Sequence, residues 1–137
     1  AARSLVLALA EERTVRRIGG GKAISSRRVV HACIDHARAT QRIPSISELC
    51  LTAHVSERTL RNAFVQEFSQ PPIRFFRDWA LQQARQQLRA GDPSRIAVST
   101  SATGLGFSDL GRFAGHYRAR FDENPSATLR TPARRLA

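Results

Sequence analysis

At 137 residues the chain is the size of one ordinary domain, or of two very small lobes sharing a helix, and its core must be modest. Twenty-one arginines and one lysine, Lys22, against eleven acidic residues leave a net charge of +11, which points to a polyanionic partner. No apolar run approaches the roughly 18 residues of a membrane span, and Leu5 to Ala10 has neither the length nor the flanks of a signal peptide, so a soluble, cytoplasmic protein with no membrane partner is expected.

Residues Arg3 to Arg17 have the mixed apolar and charged pattern of a short amphipathic helix, and Gly19-Gly20-Gly21 breaks it as a flexible joint. There is no methionine, even at position 1, so residues 1–24 are expected to be the remnant of an upstream domain plus its linker. From Ser25 or Ser26, Val29, Val30, Cys33, Ile34 and Ala37 form one apolar stripe of a helix that ends before Arg42-Ile43-Pro44. Ser45-Ile46-Ser47-Glu48 is a capping box, in which Ser45 meets the Glu48 amide and the glutamate reaches back, and it opens a short helix through Ala53.

His54-Val55 interrupts that helix, and Ser56 has the character of an N-cap for Glu57 to Phe68, with Leu60, Ala63, Phe64 and Phe68 on one side. The other side presents Arg58, Thr59, Arg61, Asn62 and Gln66, a composition suited to reading base edges. Helix, three-residue turn, helix is the result. Pro71-Pro72 fits the first turn of a helix of roughly 19 residues, about 28 Å at 1.5 Å each, running to Ala90-Gly91. Its apolar faces are Phe75, Phe76, Trp79, Ala80, Leu81, Ala84 and Leu88.

After Asp92-Pro93-Ser94 the cycle repeats, with Arg95 to Thr103 as a helix, Gly104 to Phe107 as a turn, and Ser108-Asp109 opening a helix to Phe121. Phe113, Tyr117 and Phe121 recur every four residues on its apolar face, Pro125 to Arg130 makes a last short helix, and residues 131–137 form a loose tail. The expected fold is all-α, about seven helices in two helix-turn-helix subdomains, 25–70 and 92–130, joined by one long central helix at 71–91.

An enzyme is not indicated. Cys33 and Cys50 read as buried reduced thiols, lacking the count or spacing of a disulfide framework or zinc site. His31, His36, His54 and His116 lack metal-ligand spacing, and no serine or cysteine has a recognisable base and acid beside it. Gly19-Gly20-Gly21-Lys22 lacks the strand and outer glycine of a phosphate loop. No metal and no cofactor are expected. The aromatic set has helical spacing, which favours core packing over a platform for stacked bases.

From about Arg27 to Arg130 the sequence resembles the AraC/XylS family of bacterial transcription regulators. Ala102, Gly106-Phe107, Phe113, Tyr117, Phe121, Asn124-Pro125 and Arg130 stand at the spacing of the family signature. Ser56-Glu57-Arg58-Thr59-Leu60, Phe64, Pro72, Phe75, Phe76, Leu81, Ala84 and Leu88 look like its first recognition helix and connecting helix. The resemblance implies two recognition helices in successive major grooves, and a helix of roughly 28 Å is compatible with the roughly 34 Å repeat of the duplex. It implies DNA contacts from Ser56, Arg58, Thr59, Arg61, Asn62 and Gln66 in the first unit and from Leu110, Gly111, Arg112, Gly115 and His116 in the second. It also implies RNA polymerase as a partner of the full-length protein, and dimerisation, if any, through the upstream domain.

The sequence departs from the family at Gly111 and Gly115, where many relatives carry long polar side chains, and at Ser101, where an apolar residue is usual. His54 replaces a usual glycine and Ala80 a frequent arginine. The expectation is therefore that the first unit supplies most sequence readout, while the second grips phosphates. The alternatives are a non-specific architectural DNA-binding protein and a helical protein-interaction module.

Overall fold

The computed structural model describes residues 25–131, and among them all regular structure is helical. In chain order the seven helices are α1 (Ser26–Thr40), α2 (Ile46–Ala53), α3 (Glu57–Phe68), α4 (Pro72–Ala90), α5 (Val98–Gly104), α6 (Leu110–Phe121) and α7 (Pro125–Arg130). The all-α expectation holds. The expected helix at Arg3–Arg17, the glycine joint and the tail beyond Thr131 lie outside the described residues. The chain divides into two compact units between Arg77 and Asp78, inside α4.

In the first unit α1 packs on both α2 and α3, which also pack on each other. The stripe Val29, Val30, Cys33, Ile34 and Ala37 is buried as its spacing requires, facing a core that includes Leu49, Leu60 and Phe64. Phe64 lies 5.4 Å from Phe75 and 5.5 Å from Phe76 between ring centroids, so the first turn of α4 closes this core with edge-on and tilted aromatic pairs. These rings are interior packing.

Each of the three helices that precede α4 ends on a residue in the left-handed region, Gln41 (φ 55), His54 (φ 56) and Ser69 (φ 58), whose N–H bonds the carbonyl four residues back. None is glycine, so each cap carries roughly 1–2 kcal/mol of side-chain crowding. His54 thus adopts the turn geometry for which a glycine is usual. The capping box at α2 is half formed. Glu48 N–H donates to Ser45 Oγ at 3.1 Å, but its carboxylate turns to Arg42 Nη2 at 3.0 Å and His36 Nε2 at 3.3 Å instead of the Ser45 amide. The Arg42 guanidinium and the His36 ring together outweigh one backbone N–H. Cys33 is buried as expected, whereas Cys50 is only half-buried.

In the second unit, α5, α6 and α7 pack on one another. The helix expected from Arg95 begins at Val98. Asp92 is the cause: its carbonyl takes the N–H groups of Arg95 and Ile96 at 2.8 and 2.9 Å, and its carboxylate takes Ser94 N–H and Oγ–H at 2.9 and 2.8 Å. That aspartate turn satisfies the donors a helix would have used. Ser101, the polar residue at an apolar position, is buried and donates its hydroxyl to Gln87 Oε1 of α4 at 2.5 Å. Gly106 takes φ 99, which the turn between α5 and α6 reserves for glycine. Phe113 and Tyr117 are buried, Phe121 half-buried, and Ala80 fully enclosed.

Tyr117 O–H donates to Thr128 Oγ1 at 2.7 Å, and Thr128 O–H donates to Glu123 Oε1 at 2.6 Å, tying α6 to α7. Burial raises the phenol above its ordinary pKa, with the Thr128 hydrogen bond opposing that shift.

Candidate nucleic-acid interface

The reading face of α3 follows from where its core face lies. Leu60, Ala63 and Phe64 are buried, so the helical period puts Arg58, Asn62 and Val65 along the centre of the opposite face, flanked by Thr59, Arg61 and Gln66. Ser56 fixes the start of the helix by accepting Thr59 N–H at 3.2 Å, and its own hydroxyl donates to Thr59 Oγ1 at 3.1 Å.

The polar groups of this face are not equally available. Arg61 is held by Glu57, one turn back, at 3.2 Å. Gln66 accepts the Ser26 hydroxyl on Oε1 at 2.8 Å, and the next residue, Glu67, lies 3.7 Å from Arg27. Arg58 and Asn62 are exposed, and among the described residues no side-chain hydrogen bond or ion pair holds either. A guanidinium and a carboxamide one turn apart present donors and an acceptor together. Val65 was missed in the sequence because it is apolar, yet it is 49% exposed; its place seven residues after Arg58 was the available signal.

On α6 the N-cap is Asp109, which accepts Arg112 N–H at 3.0 Å. Leu110 is 45% exposed, and the Arg112 side chain is 84% exposed with only a 3.7 Å approach to Asp109. Nothing lies within 4 Å of where a Cβ on Gly115 would sit, and at Gly111 only Asp109 Oδ1 comes close, at 3.3 Å. Among the described residues, packing requires neither glycine. They leave a bare strip of helix, bordered by Arg112 and by Arg118, an exposed arginine seven residues after Gly111 that the sequence reading did not single out. His116 is half-buried beside this strip.

Among the described residues no group of three or more histidine, cysteine, aspartate or glutamate side chains forms a metal-binding cluster. No helix there is long and apolar enough to cross a membrane. A family model described as a helix-turn-helix domain matches residues 49–131, more than half of the chain. A crystal structure of a probable AraC family transcriptional regulator from Rhodopseudomonas palustris superimposes with a TM-score of 0.64 at 32% identity, covering 74% of this chain and 94% of that one.

The chain belongs to the AraC/XylS family. It is similar to a probable thc operon regulatory protein of Rhodococcus erythropolis, 32% identical over 104 residues, covering 75% of this chain and 31% of that protein. It is also similar to a XylDLEGF operon transcriptional activator of Pseudomonas putida, 33% identical over 93 residues, covering 68% of this chain and 29% of that protein. The chain thus spans under a third of the length of these two relatives, whose names describe operon regulation.

Proposed function

We propose that the chain binds duplex DNA sequence-specifically and regulates transcription, offering α3 and α6 each to a major groove. The observation that carries this reading is the outward pair Arg58 and Asn62, exposed on a capped helix and held by no side chain among the described residues, in a chain of net charge +11. Such side chains meet base edges without first giving up an internal hydrogen bond, at an ordering cost of about 0.5–1.5 kcal/mol each. Ser56, Thr59, Arg61 and Gln66 border the pair and complete the first surface. Leu110, Arg112 and His116 form the second around the bare backbone at Gly111 and Gly115.

The two surfaces divide the work. The first carries most of the sequence readout, while Arg112 and the exposed N-terminal turn of α6 hold phosphates. In a full-length regulator RNA polymerase would be the partner, in the cytoplasm, and dimerisation, if any, would run through an upstream domain.

Selection of bound duplexes from a random pool tests this. A defined site preferred about a thousandfold or more over random duplex is expected, with affinity falling by about 0.9 log unit per log unit of salt for each neutralised phosphate. A preference near unity would replace the regulator with an architectural protein.

A further inference from the structure

We infer that Ser26, on a helix outside the α2–α3 pair, fixes which end of the Gln66 carboxamide faces a base, and so sets what Gln66 reads. The inference rests on the proposed binding of α3 in a major groove. An unconstrained glutamine offers an acceptor and two donors, and its usual partner is adenine, whose N6 amine donates and whose N7 accepts. Gln66 is constrained: the Ser26 hydroxyl donates to Oε1 at 2.8 Å from the first turn of α1.

The oxygen and nitrogen of a carboxamide leave the same carbon in different directions. Holding the oxygen against α1 therefore turns Nε2 away from it, towards the exposed side of α3. Ser26 is half-buried and Gln66 exposed, so the bond lies at the solvent edge of the two helices. Beside it, the 3.7 Å approach of Arg27 to Glu67 keeps the first turn of α1 against the last turns of α3.

With one lone pair of Oε1 taken by Ser26, Gln66 meets a groove chiefly through its Nε2 donors. Donors suit guanine, whose O6 and N7 both accept, and the adenine N6 amine meets a like group. Ser26 is a positioning residue, acting through Gln66 without touching DNA.

The test is random-pool selection with the wild-type chain and with Gln66→Ala, Ser26→Ala, Ser26→Thr and Arg27→Ala. Gln66→Ala identifies the base position that Gln66 reads. There the wild type prefers guanine over adenine by about tenfold. Ser26→Ala abolishes or inverts that preference with other positions unchanged, Ser26→Thr restores it, and Arg27→Ala, which removes the neighbouring approach to Glu67 but leaves the Ser26 hydroxyl in place, leaves it intact. A wild-type preference for adenine at that position, no position altered by Gln66→Ala, or an unchanged profile in Ser26→Ala would each overturn the inference while leaving site-specific binding in place. Failure of the wild type to enrich any sequence would remove the proposed function and this inference with it.

Discussion

Truncating Arg58 and Asn62 separates binding from folding cleanly. Among the described residues neither side chain has a partner to strand, and both are exposed, so Arg58→Ala and Asn62→Ala should each change stability by no more than about 0.5 kcal/mol. Each removes up to one direct base contact, worth about 1–3 kcal/mol, or about 5- to 150-fold in Kd on the selected site. Fluorescence anisotropy with a labelled duplex, run against log salt, reads two quantities at once. If Arg58 contacts a base, affinity falls selectively for the preferred sequence at unchanged salt slope; if it contacts a phosphate, affinity falls uniformly and the slope drops by about one. The division of labour between the two units is wrong if Arg112→Ala relaxes base preference more than Arg58→Ala and Asn62→Ala together.

Gly115→Ala should raise stability by about 0.5–1 kcal/mol in thermal or denaturant unfolding, since a Cβ there meets open space and alanine loses less backbone entropy in a helix than glycine. Burial and the neighbouring Cys50 push the Cys33 thiol up to about 12, so at pH 8 iodoacetamide should modify Cys50 and leave Cys33 intact in the folded chain, as peptide mass mapping would reveal. Hydrogen bonds from Arg42 and then His36 hold the Glu48 carboxyl below its ordinary pKa. A depressed folded value contributes stability above the unfolded pKa of about 4.3 and loses it as pH falls through the folded value. Denaturant midpoints across pH 3 to 6 should therefore fall less steeply in Glu48→Gln than in the wild type.

Most of the helices were legible because their signals are local. Ser45, Ser56 and Asp109 each cap the helix that follows, and the period of Leu60, Ala63 and Phe64 fixes which face of α3 looks outward. What was not legible depends on partners chosen in space. Glu48 has the spacing of a capping glutamate, but Arg42 and His36 compete for it from the preceding segment and from α1. The start of α5 moved to Val98 because Asp92 can serve four donors at once. In the candidate interface, residue types alone set Arg58, Arg61 and Gln66 side by side as equals. The pairings to Glu57 and Ser26 separate them.

The Ser101 hydroxyl bond to Gln87 has a consequence for how the second unit comes apart. α5 spans seven residues, most of them poor helix formers, and that bond anchors it laterally to α4. Its amides should be among the first in the unit to exchange with heavy water, well before those of α6, whose core face is the buried pair Phe113 and Tyr117. A helix that opens early beneath a stable one acts as a fuse: under heat or dilute urea the support of α6 is lost while the helix itself survives, and grip on DNA would fail at temperatures where the bulk of the chain is still folded.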